Sequence, residues 1–345
     1  MKTATISIPP LDRSLEAALR AAIDGKAKPP GSLGRVEDIA VQLGLVRGTL
    51  TPRTDRALLM VFAGDHGLVE DGVSRYPSSV TAAMVDTFLK GKATANAFAQ
   101  AVHADLKVIN AGVAVPIPAH PRLIDAAIRC GTRNAAREAA LTAAEVEEGL
   151  ARGAGIARDA ARAGYDVLAL GEMGIGNTAS AALIMHRLAG VALDDCVGRG
   201  AGHDDAGLAR KKEILARAAA RTSANDPRDV LTEFGGCEIV MMAGAILGAA
   251  ASARPVIVDG FIATAAALAA IRIAPTARDY CLFAHRSAEA GHSRMLAAIG
   301  ARPLLELEMR LGEGTGALLA VPIVRSAARL LTDVASLDEV LSGNI

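Results

Sequence analysis

Short apolar runs alternate with longer alanine-rich segments along this 345-residue chain. The runs are rich in Val, Ile and Leu and are continuous rather than alternating with polar residues, which is typical of strands covered by helices on both faces. Strands and helical segments that alternate in this way predict a parallel sheet. We therefore expect an α/β fold with an open, mostly parallel sheet between two helical layers, a three-layer Rossmann-like arrangement. The predicted strands are residues 57–62, 106–110, 167–170, 255–258 and 280–283.

Both ends of the chain have helical rather than strand patterns. Residues 11–23 and 34–45 predict two helices separated by the rigid segment Lys28-Pro29-Pro30-Gly31-Ser32, and residues 317–341 predict a further helix. We expect residues 1–50 and 318–345 to form a small helical subdomain from both termini. Residues 51–317 would then form the α/β catalytic domain.

Glycine-rich or polar segments follow each predicted strand. In an open α/β sheet, ligands bind beyond the carboxyl ends of the strands. We therefore expect these segments to converge on one site. They are residues 64–67, 111–113, 171–174, 259–261 and 285–287.

The segment Gly174-Ile175-Gly176-Asn177-Thr178-Ala179 follows a predicted strand and opens an alanine-rich helix. Glycine backbone at a helix N-terminus suits a phosphate, and Asn177 or Thr178 could cap the helix. The G-x-G-x-x-A spacing, with Asp194 and Asp195 downstream, also fits a nicotinamide-dinucleotide site. A structural turn is a third interpretation, because the usual dinucleotide loop follows the first strand of its domain.

Two further glycine-rich segments remain open to more than one interpretation. Gly198-Arg199-Gly200-Ala201-Gly202 precedes Lys211. It lacks the lysine position of a P-loop, so it is either a phosphate loop with Lys211 as a point charge or a flexible loop before a solvated helix. Glu313 lies between Gly312 and Gly314, where a ligand could approach closely. A carboxyl buried beside an apolar ligand has a raised pKa and suits general-base catalysis, although an ordinary turn would give the same pattern.

Composition and charge restrict the partners. Lys plus Arg and Asp plus Glu both number 37, and there are no Trp, three Tyr and six Phe residues. This balance disfavours nucleic acid and anionic membranes and leaves few platforms for base stacking. The apolar stretch 239–257 contains Arg254 and falls short of a membrane span, and the first residues do not resemble a signal peptide. We expect a cytoplasmic protein with a small-molecule ligand.

The histidines and cysteines do not predict a metal site. The four cysteines are widely separated, and no Cys/His cluster has zinc spacing. His66, His285 and His292 are interpreted as hydrogen-bonded structural groups. We therefore expect no metal, and the family resemblance described next implies no cofactor.

Taken together, these segments resemble the nicotinate-nucleotide:dimethylbenzimidazole phosphoribosyltransferase family over nearly the whole chain. The stretches Gly-Glu-Met-Gly-Ile-Gly-Asn-Thr and Arg-Leu-Gly-Glu-Gly-Thr-Gly, in this order and spacing, make the resemblance specific. The other matching segments are residues 28–35, 62–67, 72–77, 258–261 and 284–289.

The resemblance implies transfer of the phosphoribosyl group of nicotinate mononucleotide to a benzimidazole, giving α-ribazole 5′-phosphate and nicotinate in cobalamin lower-ligand synthesis. It implies that Glu313 is the base that removes the benzimidazole proton and that Glu172 orients the ribose or stabilises charge. It also implies a homodimer with the site near its interface. The implied phosphate and nucleotide contacts are Gly174, Gly176, Asn177, Gly200, Lys211, Asp259 and Ser287, and the implied base contacts are Ser74, Tyr76, Met84, Met173, Leu311 and Gly312.

Two other hypotheses compete with this one. A nicotinamide-dinucleotide-dependent oxidoreductase would use the G-x-G-x-x-A turn. A non-catalytic nucleotide or benzimidazole carrier would bind both ligands and release no product, although it would have no need of Glu313 as a base.

Overall fold

The computed structural model describes residues 7–200 and 202–344, and its centre is a six-stranded sheet. The strands are β1 Ala57–Gly64, β2 Asp105–Gly112, β3 Leu123–Asp125, β4 Val167–Met173, β5 Val256–Val258 and β6 Cys281–Phe283. They lie in the order β3-β2-β1-β4-β5-β6, and every neighbouring pair is parallel. The predicted open parallel sheet is confirmed.

The central strand β1 is buried along its whole length because both faces of the sheet are covered. Leu58, Met60 and Phe62 belong to the hydrophobic cluster on one face. Leu59 and Val61 belong to the cluster on the other. Successive side chains of a strand point to opposite faces, so a strand between two layers of helices requires apolar residues at every position. This explains the continuous apolar runs in the sequence.

Helices form a layer on each face of the sheet. In the described part of the chain the α-helices are α1 Glu16–Asp24, α2 Arg35–Arg47, α3 Ser79–Leu89, α4 Thr94–Ala101, α5 Ala143–Arg162, α6 Asn177–Ala189, α7 Leu193–Cys196, α8 Asp205–Ala220, α9 Pro227–Phe234, α10 Cys237–Ala251, α11 Phe261–Ile273, α12 His292–Ala298, α13 Thr315–Thr332 and α14 Leu337–Ser342. The larger hydrophobic cluster includes residues of α5, α6, α9, α10 and α11, and the other includes residues of α1, α2, α3, α4 and α13.

The strand order places a switch point between β1 and β4. From β1 the chain moves outward to β2 and β3, and then returns to β4 on the opposite side of β1. The segments that follow β1 and β4 therefore lead away in opposite directions, which opens a crevice at the carboxyl edge of the sheet.

Two elements differ from the sequence-based expectations. Strand β3 was not predicted because it has three residues, none of them buried, at the edge of the sheet. The single predicted helix 317–341 is two helices, α13 and α14. A short non-helical segment, residues 333–336, separates them, and its Val334 carbonyl accepts a hydrogen bond from Lys26 Nζ at 2.7 Å.

The helices of the two chain ends pack together. Helix α13 contacts both α1 and α2, and all three contribute to the same hydrophobic cluster as one face of the sheet. The division into a subdomain of residues 1–50 and 318–345 and a domain of residues 51–317 stays a prediction, and residues 1–6 and 345 lie outside the described residues. Helix α13 has the length and hydropathy of a membrane span, yet 61% of it is buried within the structure.

Candidate active site

A cavity of about 520 Å³ lies at the carboxyl edge of the sheet, with walls from the segments after β1, β4, β5 and β6. Its volume is within the usual range for a small-molecule site. The predicted convergence is confirmed for residues 171–174, 259–261 and 285–287, each of which contributes to the wall. It is wrong for residues 64–67 and 111–113, which do not line this cavity. Asp65 turns instead towards the segment after β2, where its Oδ2 accepts a hydrogen bond from the Ala114 N–H at 2.8 Å.

Glu172 lies near the end of β4, buried in the cavity wall. Its Oε2 accepts a hydrogen bond from the side-chain amide of Asn177. Burial, and then the nearby carboxylates of Asp259 and Glu238, raise the pKa of Glu172 to about 8. The carboxyl group is therefore protonated and neutral at pH 7.

Glu313 also lines the cavity, in a strained turn that packs against Gly171 and Glu172. Gly312, Glu313 and Gly314 have φ values of 84°, 62° and 81°, which is the left-handed region that side chains disfavour. A Cβ on Gly312 would lie 2.3 Å from Glu172 Oε1, so only glycine lets the turn approach that carboxyl. Burial raises the pKa of Glu313, and no described residue hydrogen-bonds its Oε2. A carboxylate with a raised pKa and a free oxygen is suited to accept a proton from a ligand.

Asp259 fixes this turn rather than lining the cavity. Its two carboxylate oxygens accept hydrogen bonds from the backbone N–H groups of Gly314, at 3.1 Å, and Ala317, at 2.8 Å. These bonds cap the N-terminus of α13, where a negative charge is favoured. Burial raises the pKa of Asp259 to about 7, against the effect of the backbone hydrogen bonds. The predicted nucleotide contact at Asp259 is not part of the cavity wall, and its position points to support of Glu313.

The first glycine loop lies at the N-terminus of α6, as the sequence predicts. Gly174, Gly176 and Asn177 all line the cavity. A Cβ on Gly174 would lie 2.4 Å from the Gly64 carbonyl oxygen, and Gly176 has φ 91°. The loop therefore needs glycine both for close approach and for its backbone angle.

Lys211 lies behind the second glycine loop, which contains Gly198 and Gly200, and is fully buried. Its Nζ donates hydrogen bonds to Thr178 Oγ1 at 2.8 Å and to the Gly198 carbonyl at 3.1 Å. Burial lowers the pKa of Lys211 to about 8. Gly200 lines the cavity, but its N–H donates to Glu289 Oε1 at 3.1 Å. A phosphate that reached this loop would have to compete with Glu289.

The predicted base contacts lie together in the cavity wall. They meet apolar neighbours that the sequence did not single out, among them Val80 and Phe261. Tyr76 and Leu311 are 50% and 55% exposed, so large apolar surfaces remain accessible. The predicted base contacts that line the cavity are Ser74, Tyr76, Met84, Met173, Leu311 and Gly312.

Four polar residues of the cavity wall were not predicted as site residues: Thr178, His285, Glu289 and Arg310. All four lie inside segments that carry the family resemblance, so their position next to predicted site residues was the signal that could have identified them. Ser287, a predicted nucleotide contact, does line the cavity.

The expectation that the three histidines are hydrogen-bonded is confirmed for His66 and His292. It is wrong for His285, whose Nδ1 has no hydrogen-bond partner among the described residues and whose Nε2 lies 3.7 Å from Asp259 Oδ1. His66 Nε2 lies 2.6 Å from Glu238 Oε1, and both side chains are buried. The Glu238 charge raises the pKa of His66 against the effect of burial. His292 is also bonded through its ring. Within residues 7–200 and 202–344, no group of three His, Cys, Asp or Glu side chains could hold a metal ion.

Comparisons with known proteins agree with this geometry. A family model described as "Phosphoribosyltransferase" matches residues 8–340. The nicotinate-nucleotide–dimethylbenzimidazole phosphoribosyltransferase of Cupriavidus taiwanensis is 52% identical over 330 residues, 95% of each chain. The protein of the same name from Ralstonia nicotianae is 53% identical over 328 residues, 94% of this chain and 93% of the relative.

A solved structure is similar over almost the same range. The crystal structure of CobT from Thermus thermophilus superposes with a TM-score of 0.91 at 42% identity, covering 94% of this chain and 98% of that chain. Because the match extends through all the strands and segments that form the cavity, the protein belongs to the nicotinate-nucleotide–dimethylbenzimidazole phosphoribosyltransferase family.

Proposed function

We propose that this protein transfers the phosphoribosyl group of nicotinate mononucleotide to 5,6-dimethylbenzimidazole or a related base. The products are α-ribazole 5′-phosphate and nicotinate, in the synthesis of the cobalamin lower ligand. The observation that carries the proposal is the pair of buried carboxyl groups, Glu172 and Glu313, in one cavity whose wall also contains a glycine loop at a helix N-terminus.

The bond changes balance without a metal. The C1′–N bond of the nucleotide breaks, and its electron pair returns to the pyridinium nitrogen. Nicotinate then leaves with a neutral ring nitrogen. The transition state develops oxocarbenium character at C1′. One benzimidazole nitrogen attacks C1′ from the opposite face of the ribose, which inverts the β-linkage to α. The proton on the second benzimidazole nitrogen passes to Glu313.

The two carboxyl groups suit different roles. Glu313 has a free oxygen and a raised pKa, which favour proton acceptance. Glu172 is neutral at pH 7 because its pKa is about 8. A neutral carboxyl stabilises positive charge poorly, so we assign it to orienting the ribose through hydrogen bonds.

The nucleotide phosphate would bind at the N-terminus of α6, at Gly174, Gly176 and Asn177. Lys211 would contribute positive charge from behind Gly200, since its Nζ is held by Thr178 and Gly198. Ser287 lines the same wall. The flat acceptor base would then occupy the more apolar wall, where Met84, Met173 and Leu311 lie.

The position of the glycine turn in the strand order argues against the oxidoreductase alternative. The order β3-β2-β1-β4-β5-β6 is that of a dinucleotide-binding fold, whose phosphate loop follows β1. Here the G-x-G-x-x-A turn follows β4. The relatives compared above are transferases by name.

We further propose a cytoplasmic homodimer with the cavity near the subunit interface. The exposed Tyr76 and Leu311 at the cavity are large apolar side chains that a second copy could cover. Light scattering coupled to size-exclusion chromatography tests the dimer, and a monomer at micromolar concentration would contradict it.

The activity is tested by incubating the protein with nicotinate mononucleotide and several benzimidazoles in competition, without added metal. We expect nicotinate and an α-ribazole phosphate, separated by chromatography. Binding of both substrates with no nicotinate released would support the carrier hypothesis and reject the transferase. Glu313→Gln is the matched control for product that does not come from this site.

A further inference from the structure

The segment between β6 and α12 carries Ser287 and Glu289 into the cavity without regular secondary structure of its own. The Ala288 N–H donates to the Met309 carbonyl at 2.9 Å. Ser287 Oγ accepts from the Glu289 N–H at 3.2 Å. Glu289 in turn accepts from the Gly200 N–H. The position of Ser287 therefore affects Glu289 and, through it, the second glycine loop.

The backbone of Ser287 is fixed by His292, the first residue of α12. The Ser287 N–H lies 2.8 Å from His292 Nδ1. A backbone N–H can only donate, so Nδ1 must be an unprotonated acceptor. The hydrogen of the neutral ring is then on Nε2, which lies 2.9 Å from Thr264 Oγ1 on α11.

The surroundings of the ring maintain this state. His292 and Thr264 are both fully buried. Burial, and then the neighbouring His285, lower the pKa of His292 to about 3. The ring edge is also packed near Phe261, with centroids 6.3 Å apart. Protonation of Nδ1 would break its bond to Ser287, so one tautomer alone satisfies both partners.

We propose that His292 is a positioning residue that links α11 to Ser287, so that Ser287 and Glu289 are oriented before the nucleotide binds. The inference rests on the proposed function in one respect, that the ligand at Ser287 is nicotinate mononucleotide. The ring itself does not line the cavity, so it acts only through Ser287.

Two substitutions at His292 test the hydrogen bonds of the two ring nitrogens separately. In His292→Asn, the amide oxygen lies about where Nδ1 was and can accept from Ser287. In His292→Gln, the amide nitrogen reaches about where Nε2 was and can donate to Thr264, while the Ser287 N–H loses its acceptor. Thr264→Val is the matched control, because it removes the partner at the far end and leaves the Ser287 bond in place.

The dissociation constant for nicotinate mononucleotide, measured by calorimetry without acceptor base, is the first readout. We expect His292→Gln to weaken binding about tenfold, because the segment around Ser287 would then have to be ordered when the nucleotide binds. His292→Asn and Thr264→Val should remain within about threefold of the parent. The KM for the benzimidazole should not change in any of them. Equal losses in all three variants, or no loss in His292→Gln, would overturn the proposal.

Two further measurements need no ligand, and the second of them needs only the parent protein. Exchange of the Ser287 amide hydrogen should be slow in the parent and in His292→Asn, and fast in His292→Gln. In the parent, ¹⁵N shifts of labelled histidine should show Nδ1 unprotonated and Nε2 protonated. The opposite tautomer, or unchanged exchange in His292→Gln, would refute the positioning role. A parent that binds no nicotinate mononucleotide would instead reject the proposed function and leave these two tests in force.

Discussion

Replacing Glu172 by Gln should stabilise the protein at neutral pH while impairing its activity. The carboxyl group is buried, with Asp259 and Glu238 close enough to disfavour its charge. Gln has nearly the same shape and its carbonyl oxygen can still accept from Asn177. The substitution therefore removes the ionisable group and keeps the packing.

The size of the effect follows from the pKa of Glu172, which is 4.5 in the unfolded chain and about 8 in the folded protein. The folded pKa is raised, so the stability contribution of Glu172 is fully present below pH 4.5 and is lost as the pH rises through 8. Within this range each pH unit costs about 1.4 kcal/mol. Between pH 5 and pH 7 the parent should therefore lose roughly 3 kcal/mol that Glu172→Gln retains. Asp259 is present in both proteins, so its own titration cancels to first order.

Urea unfolding at pH 5 and pH 7 measures this difference directly. Glu213→Gln, on the exposed side of α8, is the matched control, and its stability relative to the parent should be the same at both pH values. The release of nicotinate by Glu172→Gln should be slower than in the parent at each pH. A stability difference for Glu172→Gln that does not grow with pH would refute the assignment of a buried, neutral carboxyl at this position.

Three further predictions concern neighbouring residues. Glu313→Gln should lower kcat by roughly 10²–10⁴, as loss of a general base does, with nicotinate mononucleotide binding retained; an undiminished rate of nicotinate release would assign the base elsewhere. Because the pKa of Lys211 is lowered to about 8, the amine loses its charge above that pH. Calorimetry should therefore show weaker nucleotide binding at pH 9 than at pH 7. Lys211→Met should reduce this difference, and Lys211→Met combined with Glu172→Gln should abolish it, because the pKa of Glu172 is also about 8. Gly312→Ala would place a Cβ 2.3 Å from Glu172 Oε1. It should cost several times more in thermal stability than Gly190→Ala, where φ is 66° and no atom of the described residues lies within 4 Å of the added Cβ; equal losses would mean that backbone strain alone explains the glycine.

The strands of the sheet were predictable because burial on both faces leaves a continuous apolar run. The predicted run 57–62 lies within β1, and 167–170 lies within β4. Strand β3 has no such run because it is short and only partly covered. The break between α13 and α14 was also hidden, because its backbone pairs with Lys26, far away in the sequence.

The candidate site was predictable where its chemistry is local in sequence. A carboxylate between two glycines marked Glu313, and glycines at a helix start marked Gly174. Contacts between distant segments gave no such signal. Glu289 accepts from Gly200 across 89 positions, and Lys211 reaches Thr178 across 33. Which of these side chains faces the cavity and which lies behind it depends on packing that no local pattern reports.

The left-handed turn around Glu313 has a consequence for how new acceptor specificity can be engineered or can evolve. Three consecutive residues at positive φ, bonded to Asp259 at the start of α13, fix the proposed proton acceptor, Glu313, through the main chain. An insertion, a deletion or a β-branched replacement in this turn would disturb that conformation. The carboxyl group of Glu313 therefore keeps its position, and under the proposed mechanism a bulkier or differently substituted acceptor has to be accommodated by remodelling the opposite side of the cavity.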